Sequence, residues 1–137
     1  AGYDSYRLVF EEIVQPVTKE FKPQIIIRNG GSDPHFADGL TNLGLTVRGF
    51  RMIGEKVREM AQICQGKEID IIGSGYNKEV LPYGYLCLLS GLADFKIEIE
   101  EPVPVPQRFQ TDPSFEATKK VVGQIKKYHK DYWKCFK

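Results

Sequence analysis

The sequence predicts an α/β fold, part of a doubly wound parallel sheet with helices on both faces. Helix-like and strand-like segments alternate along the chain, and this spacing favours right-handed βαβ crossovers. The two strand-like runs, at residues 24–27 and 69–72, are short and mostly isoleucine, without a regular polar alternation, as in strands buried on both faces. Because so few strands make a narrow sheet, we expect the chain to be a truncated portion of a larger domain.

The first predicted helix covers residues 6–21, where apolar side chains recur every three or four positions. Pro16 should kink this helix or end it early, because proline has no N–H for the helical hydrogen bond. The first strand follows at 24–27, in a run rich in β-branched residues. Asn29-Gly30-Gly31 then breaks the strand, and a loop of Gly, Asp, Asn and Thr extends to about Leu45.

The second predicted helix covers residues 46–64, with Thr46 as its N-cap and an apolar stripe along one face. The second strand lies at 69–72 and is followed at once by the glycine-rich turn at 73–77. A third helix is predicted over 80–92. The chain thus repeats the order strand, loop, helix, which places both loops after strands.

The C-terminal part of the chain has a different character. Residues 95–100 alternate apolar and charged side chains, which suits an edge strand or an extended segment. Three prolines within 102–106 form a stiff linker, and a last helix over 113–132 should dock on the body of the protein. We therefore divide the chain into an α/β domain at 1–101 and a linker with its docking helix at 102–137.

Composition and charge exclude several classes of partner. The chain carries 19 Lys and Arg against 18 Asp and Glu, so no strong field attracts nucleic acid or an anionic membrane. No apolar stretch approaches the roughly 20 residues of a membrane-spanning helix. The three cysteines lack CxxC spacing, which favours reduced thiols. We expect a soluble, cytoplasmic protein with no direct contact to nucleic acid or membrane.

Chemically useful side chains cluster in the two loops that follow the strands. In open α/β sheets, ligands bind at the carboxyl ends of the strands, so both loops should share one rim. The first loop carries two carboxylates and an imidazole, and the second carries a phenol beside glycines that permit a sharp turn. These residues are Asp33, His35 and Asp38 in the first loop, and Gly73, Gly75 and Tyr76 in the second.

Each of these residues also has a purely structural interpretation. Asp33 could complete an Asx-turn, and Asp38 is better explained as a brace that accepts backbone N–H groups of its loop. We expect His35 to meet solvent rather than to bind a metal. Tyr76 taken alone would be an ordinary half-buried tyrosine. A phosphate-binding turn is excluded because neither a third glycine at dinucleotide-fingerprint spacing nor a Gly-Lys-Ser/Thr sequence is present.

Two segments together resemble a known family. The stretch from Ile25 to Thr46, with Asp33 and Asp38, resembles the segment of histone deacetylases, acetylpolyamine hydrolases and acetoin-utilisation proteins that supplies the second zinc-ligand aspartate. The turn Gly73-Ser74-Gly75-Tyr76-Asn77 resembles the turn that bears the catalytic tyrosine of that family. The order of the two segments and their separation by one helix and one strand make the pair specific.

The resemblance implies an arginase/deacetylase-like fold and a zinc-dependent hydrolase of acyl-amide bonds in lysine or polyamine. It implies that Asp33 coordinates zinc and that Tyr76 donates a hydrogen bond to the oxygen of the scissile amide. Gly73 and Gly75 would position the turn at the substrate, and Asp38 would be structural. Ser32 and the serine of the turn differ from the commoner residues of the family, which leaves the substrate class open.

The chain departs from the family in its histidines. The remaining zinc ligands of the family come from an Asp-x-His segment and the general base from adjacent histidines, whereas this chain has only His35 and His129. We therefore expect an inactive C-terminal fragment that binds no zinc by itself, from an enzyme that does. A non-catalytic α/β binding or interaction module is the alternative. A homodimer through an exposed sheet edge is expected from geometry.

Overall fold

Two parallel strands, β1 (Ile26–Gly31) and β2 (Glu68–Ser74), form the centre of the computed structural model, which describes residues 1–137. Helices precede, connect and follow these strands, so the predicted α/β class with a parallel sheet is confirmed. The helices are α1 (Tyr3–Val9), α2 (Gln15–Phe21), α3 (Val47–Ala61), α4 (Leu81–Leu92) and α5 (Phe115–His129).

The pairing of the strands contains one irregularity, at the carboxyl end of the sheet. Ile26 pairs with Glu68 and the register runs evenly up to Gly30 and Ile72. The next pair joins Gly31 to Ser74, so Gly73 is an extra residue on β2. Such a bulge bends a strand locally and re-aims the side chains that follow it. It lies where both loops leave the sheet.

Helices α3 and α4 supply most of the apolar core, since the stripe predicted along residues 46–64 is buried. A 3-10 turn at Gln62–Cys64 ends this segment. The core residues are Leu45, Val47, Phe50, Met52, Ile53, Val57, Met60, Cys87 and Leu88. Thr46 is the N-cap residue as predicted, but its side chain makes no cap hydrogen bond. Instead the backbone N–H of Val47 donates to the Glu101 carboxylate at 3.0 Å.

Two glycines allow α3 and α4 to touch backbone to backbone. A Cβ at Gly54 would lie 2.2 Å from the carbonyl oxygen of Leu88, and one at Gly91 would lie 2.2 Å from the carbonyl oxygen of Arg51. Real Cβ atoms do not approach carbonyl oxygens so closely, so the helices would have to separate to admit any side chain. The crossing therefore depends on both glycines.

We predict that Gly54→Ala lowers the free energy of unfolding by about 1–3 kcal/mol, because overpacking a core contact costs this much. Gly123→Ala is the matched control, since Gly123 lies in α5 and a methyl group added there would have nothing within 4 Å. There the higher helix propensity of alanine should raise stability by about 1 kcal/mol. Urea unfolding measures both, and equal effects at the two sites would contradict this account of the crossing.

The N-terminal helical segment does not end early at Pro16, which was one of the two outcomes expected there. It continues through a π-helical turn at Phe10–Val14 into α2, with Pro16 in the first turn of α2. The wider turn accommodates a residue that cannot donate the usual backbone hydrogen bond. Phe21, expected on the apolar stripe, is exposed at the end of α2, where the Trp133 ring lies edge-on with centroids 6.5 Å apart.

One face of the sheet is open in this chain, although helices were expected on both. Ile26 packs against the core, whereas Ile27 on the opposite face is 61% exposed. Ile69 and Ile71 of β2 are also exposed. The isoleucines of this open face have the apolar character of a face that other elements cover, but the helices of residues 1–137 pack on the opposite face only.

The C-terminal residues attach to the N-terminal helices rather than to the sheet. Residues 95–100 form no strand, and Ile99 packs against the core from a segment without regular secondary structure. Asp112 accepts a hydrogen bond from the backbone N–H of Ser5 at 2.7 Å, and Thr118 donates to the Ser5 hydroxyl at 2.9 Å. The division at residues 101 and 102 stays a prediction. None of the helices combines the length and the apolar character that a membrane span requires.

Candidate functional site

The loops after β1 and β2 are joined directly by hydrogen bonds at the carboxyl end of the sheet. The backbone N–H of Ser32 donates to the carbonyl oxygen of Ser74 at 2.8 Å. Further along, the side-chain amide of Asn77 donates to the carbonyl oxygen of Ala37, 40 positions earlier, at 2.8 Å. Parallel strands place their carboxyl ends together, which explains why loops so far apart in sequence meet here.

Asp38 links the backbones of the two loops. Its side chain is buried, and its Oδ1 accepts a hydrogen bond from the N–H of Leu40 at 3.0 Å. Its Oδ2 accepts one from the N–H of Tyr76 at 2.8 Å. Asp38 therefore connects the two loops, and one of its hydrogen bonds holds the backbone of Tyr76, the residue with the candidate catalytic phenol.

Asp33 lines a cleft of about 390 Å³ next to the end of β1. The Ser74 hydroxyl donates to its Oδ1, and its Oδ2 has no hydrogen-bond partner. No backbone N–H of the loop donates to this carboxylate, so Asp33 does not make the side-chain contact of an Asx-turn. Its backbone carbonyl instead accepts a hydrogen bond from the Thr41 hydroxyl. The free oxygen of the Asp33 carboxylate is therefore available as a hard ligand.

The negative charge of Asp33 contributes to raised pKa values of two tyrosines, Tyr6 and Tyr85. Burial raises the pKa of the Tyr6 phenol, and the nearby Asp33 carboxylate raises this pKa further. Burial is also the main cause that raises the pKa of Tyr85, with Asp33 contributing in the same direction. The Tyr85 hydroxyl donates to the carbonyl oxygen of Ser74. Both phenols therefore stay protonated around the carboxylate.

Tyr76 lies on the rim with its side chain 59% exposed, and it is not among the residues that line the cleft of Asp33. The backbone turn before it requires glycine at position 75. Gly75 has φ of +142°, and a Cβ there would lie 2.1 Å from the Ser32 hydroxyl. At Gly73 the closest atom to a Cβ would belong to the Asn29 side chain, at 2.9 Å, which can move away. Gly75 is thus the stricter requirement.

His35 is buried, so the expectation that it meets solvent is wrong. Its Nδ1 accepts a hydrogen bond from the N–H of Ala37 at 3.1 Å, which leaves Nε2 to donate to Glu101 at 2.7 Å. The ring also stacks near Phe50, with centroids 6.2 Å apart. Because both ring nitrogens are used, His35 contributes no metal ligand in this arrangement, and it fixes the loop of Asp33 to residue 101 instead.

The donor set of residues 1–137 fits one ligand of a zinc site. Nowhere in the structure do three or more His, Cys, Asp or Glu side chains group together as a metal site would require. The free Oδ2 of Asp33 has the chemistry of a zinc ligand, since carboxylate oxygens bind this ion in open catalytic sites. Further ligands would have to come from outside these residues.

Sequence patterns did not indicate two contacts of this site. The pair of His35 and Glu101 joins residues 66 positions apart, and no local pattern connects them. The hydrogen bond from Ser74 to Asp33 spans 41 positions. Its only trace in the sequence is the serine within the glycine-rich turn.

Comparison with known proteins identifies the family. Residues 1–92 match the histone deacetylase domain. The chain is 36% identical to a probable deacetylase of Archaeoglobus fulgidus, in an alignment that covers 99% of this chain and 40% of the relative. It is 33% identical to histone deacetylase 10, chloroplastic, of Oryza sativa subsp. japonica, over 93% of this chain and 28% of that protein. The chain thus spans less than half the length of these relatives.

Solved structures show the same fold. The histone deacetylase Clr3 superposes with a TM-score of 0.75 at 23% identity, covering 99% of this chain and 21% of that one. The HD domain of HDA15 superposes with a TM-score of 0.74 at 18% identity, covering 98% of this chain and 33% of that one. The fold agrees with the domain match over residues 1–92, and by that match the chain belongs to the histone deacetylase family.

Proposed function

We propose that this chain is the C-terminal part of a zinc-dependent deacetylase that hydrolyses acyl-amide bonds of acetylated lysine or polyamine. In this proposal Asp33 is one zinc ligand, and Tyr76 donates a hydrogen bond to the oxygen of the scissile amide. Gly73 and Gly75 shape the turn that presents Tyr76 to the substrate. Asp38 braces the two loops against each other.

The observation that carries the proposal is the link between the two loops through Asp38. One carboxylate oxygen of Asp38 holds the backbone N–H of Tyr76, while the other holds its own loop a few residues beyond Asp33. The backbones of the two loops that carry the candidate ligand and the candidate phenol are therefore held together at one rim. A site built for catalysis needs such support, because small displacements of reacting groups cause large losses of rate.

Each side chain would have a distinct chemical task. A bound zinc ion supplies a Lewis acid that polarises the amide carbonyl and acidifies a bound water. The free oxygen of Asp33 would help to hold that ion, while Tyr76 would stabilise negative charge as it develops on the amide oxygen. Tyr76 suits this task because its exposed position on the rim leaves the hydroxyl free to meet a substrate.

We further propose that residues 1–137 alone are inactive and need the rest of a longer polypeptide. One carboxylate does not hold a catalytic zinc ion against water, and the general base of the family is absent from this chain. The open isoleucine face of the sheet, formed by Ile27, Ile69 and Ile71, is a surface that further elements of the same domain would cover. A homodimer through the sheet edge and a cytoplasmic location stay predictions.

The test is metal analysis and a deacetylase assay on the longer protein that contains this chain, with acetyl-lysine peptide and acetylated polyamine as substrates. We expect zinc bound in a one-to-one ratio and release of acetate, with neither property in residues 1–137 alone. A longer protein that binds no zinc and releases no acetate would refute the proposal. It would favour the alternative of a non-catalytic binding module on the same fold.

A further inference from the structure

We propose that Ser74 is a positioning residue, whose hydroxyl holds one oxygen of the Asp33 carboxylate so that the other oxygen is presented to a metal ion. This inference rests on the proposed role of Asp33 as a zinc ligand. It adds a residue to the site and explains why a serine stands inside a glycine-rich turn. The hydrogen bond from Ser74 Oγ to Asp33 Oδ1 is the contact that carries it.

The bulge in β2 creates this contact. In an even register Gly31 would pair with Gly73, which has no side chain to offer. The extra residue advances the strand by one position, so Ser74 lies opposite Gly31 and next to the start of the Asp33 loop. Bulges commonly re-aim a side chain in this way beside functional sites.

The surroundings of Ser74 leave its hydroxyl little freedom. Its carbonyl oxygen accepts hydrogen bonds from the backbone N–H of Ser32 and from the Tyr85 hydroxyl, which fixes the backbone. A Cβ at Gly31 would lie 1.9 Å from Ser74 Oγ and 2.8 Å from Asp33 Oδ1. Glycine at position 31 is therefore what gives the hydroxyl and the carboxylate room to meet.

The arrangement has the form of a ligand held by a supporting hydrogen bond. When a hydroxyl donates to one carboxylate oxygen, the carboxylate loses rotational freedom and binds a metal through the oxygen that is left. Supporting groups of this kind contribute about 10- to 100-fold in metal affinity. We therefore expect Ser74→Ala in the longer zinc-loaded protein to weaken zinc binding by about 10- to 100-fold, measured by competition with a chelator.

A second measurement separates positioning from a general loss of structure. In the cobalt-substituted protein, the visible absorption bands report the geometry of the ligands, so Ser74→Ala should change these bands. Ser32→Ala is the matched control, because Ser32 is a buried serine on the same rim whose hydroxyl has no hydrogen-bond partner. It should leave both the zinc affinity and the cobalt spectrum unchanged.

Three outcomes would count against the inference or against the role of Asp33 on which it rests, and Asp33→Ala is the reference for the first two. If Asp33→Ala abolishes zinc binding while Ser74→Ala leaves affinity and spectrum as in the parent, the positioning role of Ser74 is refuted and the proposed function stands. If Asp33→Ala itself leaves zinc binding intact, the proposed role of Asp33 fails first. Equal losses in Ser74→Ala and Ser32→Ala would also refute the inference, because they would indicate general disturbance of the rim.

Discussion

Replacing Tyr76 by phenylalanine in the longer protein should lower kcat for an acetyl-lysine peptide by about 100- to 1000-fold, the usual effect of removing one oxyanion donor. The change removes only the hydroxyl, and the backbone N–H of residue 76 still donates to Asp38. The turn should therefore keep its conformation. Because the hydrogen bond strengthens as charge develops on the amide oxygen, kcat and kcat/KM should fall together.

Tyr83→Phe is the matched control for this experiment. Tyr83 is a partly exposed tyrosine near the start of α4, and its hydroxyl makes no hydrogen bond in the structure. The variant should keep the steady-state parameters of the parent. Zinc content should be unchanged in both variants, since neither tyrosine is a proposed ligand. Full activity in Tyr76→Phe would remove the catalytic role assigned to this residue.

Replacing Asp33 by alanine should remove zinc from the longer protein and abolish deacetylation with it. A direct ligand contributes more than a supporting hydrogen bond, so the loss of zinc affinity should exceed the roughly 100-fold upper range for such bonds. The carboxylate has no backbone partner in its loop, and its loss deprives only the Ser74 hydroxyl of an acceptor. We therefore expect a small change in thermal unfolding of the metal-free protein.

The control for charge is Asp94→Asn, a surface aspartate paired with Arg58 and remote in sequence from both loops. Asp94→Asn should have the zinc content of the parent by elemental analysis and the zinc affinity of the parent by chelator competition. If Asp33→Ala binds zinc as tightly as this control, Asp33 is not a ligand. The carboxylate would then serve only as an acceptor for the Ser74 hydroxyl.

The elements of this fold were predictable from the sequence because their signals are local. The apolar stripe of α3 recurs with helical spacing, and the isoleucine-rich runs at residues 24–27 and 69–72 overlap β1 and β2. The glycines and carboxylates after the strands marked the rim for the same reason. The sequence rule for proline did not predict that the helix continues past Pro16, because a π-helical turn before this residue accommodates it.

The family resemblance likewise depended on short segments that keep their order along the chain. Asp33 and Tyr76 follow predicted strands, and the resemblance gave them the roles of zinc ligand and catalytic tyrosine. Whether they act as ligand and hydrogen-bond donor stays a prediction that the experiments above decide. The Asp33 carboxylate and the Tyr76 hydroxyl belong to different loops, and amide hydrolysis would require both groups close to the same acyl group.

The sequence by itself determined the order and approximate positions of the helices and of the two strands, and which loops follow the carboxyl end of the sheet, although β1 extends through Asn29-Gly30-Gly31, which was expected to end it. Only the tertiary structure decided how the residues of these loops are held. The bulge at Gly73, the hydrogen bond from Ser74 to Asp33 and the contact of His35 with Glu101 each join parts of the chain 41 or more positions apart, or depend on strand register. Periodicity and turn composition report only on neighbours in sequence, whereas these contacts depend on the packing of the whole chain.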